Sequence, residues 1–431
     1  MHRPMNTSLS RRAFLRHSAI ATAGLTCWGG LGAGVPGANE RIVLAFMGTN
    51  GRGSDLARSF AKLPGVETAV VCDVDERAIA KGIQAASREQ ARAPRSEKDV
   101  RRVVENPDVD ALVIAAPDHW HGPATILACA AGKHVYVEKP ATHNAREGEL
   151  AIAAARRHNR VVQVGTQRRS FPQVIQAMEL VRGGALGPVR FARAWYNNSR
   201  GSIGRGSEAP VPAWLDWALW QGPAPERPFR DNYVHYHWHW FWHWGTGELG
   251  NNGIHALDMC RWGLGVDFPK RVTSAGGRYH FEDDQESPDT QTATFDFGDK
   301  AIAWEGRSCQ RFGLEGSGFG AGFYGDKGTL ITDGTGYRLF DANTKEIEKV
   351  AGTGGDAPHL QDFLDCIRTG RRPAADIEEG HRSTLLCHLG NIAWRTGRTI
   401  ECDPKTGRIA GDDRAMALWQ REYRAGWEPK D

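Results

Sequence analysis

A run of closely spaced glycines, Gly48-Thr49-Asn50-Gly51-Arg52-Gly53, follows the apolar stretch 41–47. A glycine turn between a strand and a helix lets backbone N–H groups approach a pyrophosphate at the helix N-terminus. Gly48 and Gly53 fit the first and third glycines of G-x-G-x-x-G, whereas Asn50 stands at the second position beside Gly51. The turn predicts a dinucleotide site that includes Gly48, Asn50, Gly51, Arg52 and Gly53.

An acidic residue supports this interpretation, because Asp73 ends the next apolar stretch, 67–72. A carboxylate at this place accepts hydrogen bonds from the ribose hydroxyls of a dinucleotide and repels a 2′-phosphate. The sequence therefore favours NAD as cofactor over NADP. The alternative is a solvated aspartate at the end of a strand.

Two further apolar stretches, 111–116 and 134–137, end in polar loops. Ligands of open parallel sheets bind outside the carboxyl ends of the strands. We therefore expect the loop residues Pro117, Asp118, His121, Glu138 and Lys139 to line the cofactor. A lysine held there by a rigid proline, Pro140, would project towards the nicotinamide; the alternative is a surface lysine beside a turn.

The stretch from Ala131 to Pro140, which reads AGKHVYVEKP, closely resembles the Gfo/Idh/MocA oxidoreductase family, as do the segments 116–121 and 163–169. The similarity covers the chain from about Arg41 to Trp427. The resemblance implies an N-terminal Rossmann domain with a doubly wound parallel sheet. It also implies a C-terminal α/β domain with a large, mostly antiparallel sheet, through which family members form dimers or tetramers. It adds Gln167 to the predicted cofactor-binding residues.

The segment 247–258 opens a predicted helix, in which Asn251 and His255 stand four residues apart and so share one face. The family carries an aspartate where Asn251 stands. The resemblance implies that His255 is the general base for a substrate hydroxyl, for which an ordinary pKa of about 6.5 is suitable. It also implies that Lys139 binds the same oxygen and stabilises its developing negative charge. Asn251 can orient a substrate but cannot ionise. The alternative for His255 is a core or capping histidine.

Four histidines, His235, His237, His239 and His243, alternate with aromatic residues in the second half. Period-two spacing predicts an extended strand with the imidazoles on one side. They could bind zinc, stack on a sugar or pack in the core. Because this segment has no carboxylate or thiolate beside them, stacking or packing is favoured and no metal is expected.

The N-terminus contains Ser10-Arg11-Arg12-Ala13-Phe14-Leu15-Arg16, followed by an uncharged Ala- and Gly-rich run at 18–38. This pattern is typical of a twin-arginine export signal, so we expect passage through the twin-arginine machinery to the periplasm. The alternative is a disordered basic N-terminus. Without the four arginines of residues 1–38, 50 basic residues face 51 acidic ones, which gives no electrostatic basis for binding nucleic acid or an anionic membrane.

These patterns predict an α/β protein with a signal at 1–38, an NAD-binding domain at 39–160 and a substrate and oligomerisation domain at 161–431. The expected activity is hydride transfer at a secondary hydroxyl of a sugar, sugar acid or cyclitol. We expect tightly bound NAD, because a periplasm offers no dependable pool of free NAD. Two alternatives are a redox-neutral glycosidase or lyase that works through a keto-sugar, and a sugar-binding protein with a vestigial nucleotide fold.

Overall fold

The computed structural model of the chain describes residues 41–430, so the predicted export signal lies outside the described residues. Two sheets organise these residues, one in each half of the sequence. Among residues 41–430, no helix is long and apolar enough to cross a bilayer, and no group of three or more potential ligands could hold a metal ion. Seven cysteines of this part of the chain are free thiols.

The first sheet has six parallel strands in the order β3-β2-β1-β4-β5-β6. The strands are β1 (Ile42–Met47), β2 (Val66–Cys72), β3 (Arg95–Glu97), β4 (Ala111–Ile114), β5 (His134–Val137) and β6 (Val162–Val164). The helices between them are α1 (Arg52–Ala61), α2 (Glu76–Ala86), α3 (Val100–Val104), α4 (Asp118–Ala130) and α5 (Ala145–Arg157). Strands β1 and β4 are buried along their whole length, as helices on both faces of a parallel sheet require. The predicted Rossmann sheet is confirmed.

The second half begins with a 3₁₀ turn (Gln167–Ser170), α6 (Pro172–Arg182) and β7 (Val189–Asn197), then α7 (Trp217–Gln221) and a second 3₁₀ turn (His237–Trp240). A π-helical turn (Leu249–Gly253) leads directly into α8 (Ile254–Leu264). The later strands are β8 (Arg271–Gly277), β9 (Thr290–Asp296), β10 (Ala301–Arg307), β11 (Phe319–Gly325), β12 (Gly328–Thr332), β13 (Tyr337–Asp341), β14 (Glu346–Val350) and β15 (Ile400–Glu401). The remaining helices are α9 (Ala357–Thr369), α10 (Ile377–Thr396) and α11 (Asp413–Met416).

The second sheet has nine strands in the order β14-β13-β12-β11-β7-β10-β9-β8-β15. Only β7 and β10 pair in parallel, so the predicted large, mostly antiparallel sheet is confirmed. Buried side chains alternate along β10, which places Ile302 and Trp304 in the core that α8 covers. The sheet thus supports the helix on which His255 lies.

A buried ion pair fixes α8 against the end of the first sheet. The Arg169 guanidinium, in the turn after β6, donates to both oxygens of Asp258 at 2.8–3.0 Å. Ser383 of α10 donates to the same carboxylate at 2.6 Å. Both charged side chains are at least 94% buried, so neither can exchange its partner for water.

The predicted extended strand through the four histidines is wrong, because this segment coils into a 3₁₀ turn. Indole and phenol rings drive the difference: Trp217 stacks on Trp220 at a centroid distance of 4.7 Å, and Tyr233 lies edge-on to the fully buried Trp244 at 4.6 Å. Burying these rings in one cluster outweighs the period-two pattern.

The four imidazoles therefore have separate partners. His235 Nε2 lies 2.6 Å from Asp75 Oδ2, and His237 Nδ1 lies 3.1 Å from a backbone carbonyl oxygen. His239 and His243 also face backbone carbonyls, at 2.6 and 2.8 Å. No two of these rings therefore share a hydrogen-bond partner.

The Arg169–Asp258 pair generates a stability prediction. Asp258→Asn leaves a buried guanidinium with an incomplete counter-charge, so we expect a loss of about 3 kcal/mol in the free energy of unfolding. Urea titration followed by tryptophan fluorescence measures it. The matched control is Asp55→Asn, which breaks an exposed pair with Arg58 and should cost less than about 0.5 kcal/mol. Equal losses for the two variants would contradict the anchoring role of the buried pair.

Candidate active site

A cavity of about 620 Å³ lies where the carboxyl ends of the first sheet's strands face the second half of the chain. Most residues predicted for the site line it, namely Gly48, Asn50, Gly51, Arg52, Asp73, Pro117, Asp118, His121, Glu138, Lys139, Gln167 and Asn251. Gly53 and His255 were predicted for the site but do not line this cavity. The structure thus places Lys139 and Asn251 in the wall of a cavity large enough for a cofactor.

The glycine turn has the geometry of a phosphate-binding loop. Gly48 has φ +82°, and a Cβ there would lie 2.6 Å from the Ala116 backbone nitrogen. A Cβ on Gly53 would lie 1.8 Å from the Gly48 carbonyl oxygen, so Gly53 allows α1 to approach β1. A Cβ on Gly51 would meet no atom within 4 Å. The space over Gly51, at the N-terminus of α1, therefore fits a pyrophosphate.

Asp73 is held at the end of β2 with its carboxylate in the cavity wall. Its Oδ2 accepts from the Thr49 backbone N–H at 2.6 Å, and its Oδ1 accepts from the Asp75 N–H at 3.0 Å. Burial raises the pKa of Asp73, and the two N–H groups oppose that shift. A carboxylate has about four lone-pair sites, so two backbone bonds leave acceptors for ribose hydroxyls.

Arg52 holds the loop after β5 in place. Its Nε donates to Glu138 at 2.8 Å, and its two terminal nitrogens donate to Asp356 at 2.7 and 2.8 Å. The other Glu138 oxygen accepts from the backbone N–H of Lys139 at 3.2 Å. Since three of the five guanidinium N–H groups already have carboxylate acceptors, the observed contacts of Arg52 are those of a positioning residue.

Lys139 reaches across the cavity to the π-helical turn. Its Nζ lies 2.9 Å from the Asn251 carbonyl oxygen and 3.3 Å from Asn251 Oδ1. Asn251 Nδ2 is buried and has no hydrogen-bond partner in the structure. The Lys139 ammonium therefore lies against Asn251 at the cavity wall, where it can donate to a substrate oxygen. Turns of the π type are frequent at functional sites.

His255 lies in the first turn of α8, four residues after Asn251, and is 8% exposed. Its Nδ1 is buried without a hydrogen-bond partner. Burial lowers the pKa of His255 well below 6.5, and the positive charges of Arg168 and Lys139 act in the same direction. The imidazole is therefore neutral and able to accept a proton.

The loop after β4 is fixed by its own polar residues. Asp118 Oδ2 accepts from the Thr246 hydroxyl at 2.6 Å, and burial raises the pKa of this carboxyl group. The two ring nitrogens of His121 lie 2.6 and 2.8 Å from the carbonyl oxygens of Pro140 and Ala116. His121 thus ties the β4 and β5 loops together rather than directing a free nitrogen at a ligand.

The residues that form the outer wall of the cavity were not predicted from the sequence. This wall comes from residues 214–240 of the second half, here named the clamp segment. Its members in the cavity lining are Leu219, Trp220, His235, Tyr236, Trp238 and His239. The aromatic content of the segment is visible in the sequence, but no local pattern indicates that it lies over the end of β2.

The clamp segment is bonded to the loop that follows Asp73. The Glu76 backbone N–H donates to the Trp214 carbonyl oxygen at 3.1 Å, and the Asp216 N–H donates to the Val74 carbonyl oxygen at 2.9 Å. The Arg77 guanidinium lies over the Trp214 ring at 3.3 Å. The cavity is therefore closed on this side by backbone and side-chain contacts.

Two family models match the chain. One describes the NAD-binding Rossmann fold of the Gfo/Idh/MocA oxidoreductases and matches residues 42–166. The other describes the C-terminal alpha/beta domain of the same family and matches residues 194–429. Together they cover most of the described residues, and the first identifies the cofactor as NAD.

Similar proteins include a glycosyl hydrolase family 109 protein of Saccharopolyspora erythraea, 30% identical over 43% of this chain and 45% of that protein. An inositol 2-dehydrogenase of Rubrobacter xylanophilus is 33% identical over 38% of this chain and 46% of that protein. The chain thus matches about half the length of these relatives. The aldose–aldose oxidoreductase of Caulobacter crescentus, solved with glycerol, shares the fold at a TM-score of 0.65 and 21% identity, over 84% of this chain and 99% of that one.

The setting of Asp73 yields a prediction on cofactor choice. Asp73→Ser removes charge-assisted hydrogen bonds to the ribose and the charge that repels a 2′-phosphate. We expect the affinity for NAD to fall roughly 10-fold or more and the preference for NAD over NADP to narrow. Calorimetric titration of nucleotide-free protein measures both. Asp108→Ser, which removes an exposed carboxylate outside the cavity, is the control. An unchanged NADP affinity would contradict the role of Asp73.

Proposed function

We propose that this chain, which belongs to the Gfo/Idh/MocA oxidoreductase family, transfers a hydride between NAD and a secondary hydroxyl of a sugar, sugar acid or cyclitol. The contact between Lys139 and Asn251 at the cavity, with the neutral His255 in the next helical turn, carries this proposal. When bound, NAD would supply the nicotinamide ring that accepts the hydride in its oxidised form and donates it in its reduced form.

The chain's own residues handle the proton and the charge on oxygen. Lys139 Nζ donates a hydrogen bond to the reacting hydroxyl and stabilises the negative charge that develops as the proton leaves. His255 takes that proton, because its imidazole is neutral. The Asn251 amide fixes the orientation of the substrate without taking part in proton transfer.

We also propose that NAD stays bound between turnovers. Support comes from the clamp segment, which lies across the cavity at the Asp73 end and is hydrogen-bonded to the loop after β2. A dinucleotide lying along the glycine turn and Asp73 would have to pass this segment to leave.

We further propose that the protein is exported by the twin-arginine route. Assay of the protein in a periplasmic fraction tests this proposal.

A redox-neutral glycosidase is the second candidate. The similarity to a glycosyl hydrolase family 109 protein favours it. Oxidation of a sugar hydroxyl to a ketone acidifies the neighbouring C–H group, so that loss of this proton can expel the glycosidic oxygen as an alcohol. Water then adds to the resulting double bond before the ketone is reduced again. Retained NAD suits this cycle, because the hydride returns to the same molecule.

Lys139→Met tests the shared first step. We expect it to lower the rate of hydride transfer about 100-fold or more, since the developing oxyanion loses its cationic donor, while the amount of bound NAD is unchanged. Stopped-flow absorbance at the NADH band, with a panel of sugars and glycosides, measures the step. Mass spectrometry of the products then separates the candidates: intact linkages with a keto product indicate a dehydrogenase, and cleaved linkages without net NADH indicate a glycosidase. Full activity in Lys139→Met would rule out both.

Trp214→Ala tests cofactor retention. The variant removes the indole that lies against Arg77, so we expect NAD to dissociate roughly 10-fold faster. Release is measured by dialysis of NAD-loaded protein followed by mass spectrometry of the remaining nucleotide. Trp242→Ala is the control, because Trp242 packs near Trp394 and Arg395, away from the cavity. Equal release from both variants and the wild type would contradict the clamping role.

A further inference from the structure

The clamp segment contributes two histidines to different parts of the cavity wall. His235 lies at the Asp73 end, where its Nε2 is 2.6 Å from Asp75 Oδ2. His239 also lines the cavity, and it is close enough to Lys139 for that positive charge to act on its imidazole. His239 therefore lies towards the end of the cavity where the proposed chemistry takes place.

Side-chain contacts connect this part of the clamp segment to the turn that carries Asn251. The Tyr236 hydroxyl accepts from Arg200 at 2.8 Å, and Arg200 Nε donates to the Glu248 carboxylate at 2.6 Å. The same carboxylate accepts from Asn252 Nδ2 at 2.5 Å. Glu248 comes directly before the π-helical turn, and Asn252 lies within it. Since Tyr236 and Asn251 both line the cavity, the clamp segment reaches the Asn251 side of the site.

Neighbouring rings and one hydrogen bond hold the His239 imidazole. The Trp238 ring stacks on it at a centroid distance of 3.6 Å and an interplanar angle of 19°, and the Tyr236 ring lies 4.6 Å away. His239 Nδ1 lies 2.6 Å from the Tyr236 carbonyl oxygen. Because a carbonyl oxygen can only accept, Nδ1 carries the ring proton, and Nε2 of the neutral imidazole carries a lone pair.

The charge state of His239 makes it an acceptor rather than a base. Burial lowers the pKa of His239 to about 3, the charges of Lys139 and Arg200 act in the same direction, and the Tyr236 carbonyl opposes the shift. The ring is therefore neutral and holds a proton weakly. The Lys139 ammonium, by contrast, can only donate. The site thus offers a substrate one cationic donor and one neutral acceptor from opposite halves of the chain.

We propose that His239 Nε2 accepts a hydrogen bond from a second hydroxyl of the substrate, one that does not react, and that recognition depends on this hydroxyl. The inference rests on the proposed function and narrows its substrate class to molecules that carry both hydroxyls. Lys139 receives the reacting oxygen, while His239 receives the other group. A substrate without the second hydroxyl leaves the acceptor unpaired, and sites built to bind a hydroxyl reject analogues that lack it.

A competing donor is the nicotinamide half of the cofactor. The glycine turn, Asp73 and the loops after β4 and β5 all belong to the first half of the chain. His239 belongs to the second half and is joined through Tyr236 to the turn of Asn251. These contacts favour the substrate as the donor to His239, and the experiment below includes the cofactor as an outcome.

Isothermal titration of NAD-loaded protein with a deoxy-sugar series tests the proposal. D-glucose, D-galactose and myo-inositol are titrated first, and the tightest binder is compared with analogues that each lack one of its hydroxyls. We expect one analogue to bind the wild type roughly 10-fold or more weakly than its parent. In His239→Phe, which keeps a ring against Trp238 but has no lone pair, that analogue and its parent should bind within about 2-fold of each other.

Two further variants check that the effect belongs to the lone pair. His239→Gln, whose amide oxygen can accept, should keep part of the ratio between parent and analogue. His237→Phe is the matched control and should leave the ratio unchanged, because the His237 ring faces the Asn232 carbonyl oxygen and does not line the cavity.

The proposal is wrong if no sugar of the panel binds, if the wild type binds every deoxy analogue as tightly as its parent, or if His239→Phe keeps the ratio while retaining its melting temperature. A His239→Phe protein that loses NAD but keeps the ratio assigns His239 to the cofactor and also overturns the proposal. Should His239→Phe not fold, the wild-type series and His239→Gln still decide.

Absorbance at the NADH band separates this result from the proposed function. A ratio that depends on His239 without any reduction of NAD leaves the hydroxyl contact standing and overturns hydride transfer from these sugars. Reduction of NAD by a parent sugar whose deoxy analogues all bind equally well does the reverse.

Discussion

The contact of Lys139 Nζ with the oxygens of Asn251 is the constraint on which the site depends, because it joins loops supported by two different sheets. Arg52 fixes one side of the contact by holding Glu138, the residue before Lys139. The buried Asp258 carboxylate fixes the other side by anchoring the helix that follows Asn251. A displacement of about 1 Å between such groups can cost a large factor in rate, so the proposed proton transfer depends on these ionic anchors.

The cofactor half of the site could be predicted from sequence because its signals are local. The apolar stretches 41–47 and 111–116 each end at a polar loop, and a buried parallel strand leaves its ligand-binding residues immediately after its last residue. Glycine spacing then indicates where the backbone must bend, and Gly48 and Gly53 do allow the close approaches that the fingerprint implies. The helix at Asn251 was also predicted, although its first turn is of the π type.

The parts of the fold and the site that could not be predicted depend on contacts between residues far apart in the chain. The histidine segment was predicted as a strand, but the burial of Trp244 and its aromatic neighbours decides its conformation. Arg52, which was predicted to bind the cofactor, lines the cavity, but its bond to Asp356, 304 residues away in the chain, could not be predicted. The clamp segment has no periodicity that indicates its place over β2. Aromatic clusters and long-range ion pairs leave no local pattern, so sequence alone could name the residues but not their partners.

The two candidate reactions make one shared demand on this site, which is the transfer of a single proton to a buried imidazole. Burial lowers the pKa of His255, and the positive charges of Arg168 and Lys139 act in the same direction, so the imidazole is neutral. The clamp segment would hold the NAD through both hydride steps of a redox-neutral cycle. Retention of the cofactor is therefore compatible with either reaction, because the clamp segment and His255 belong to separate parts of the structure.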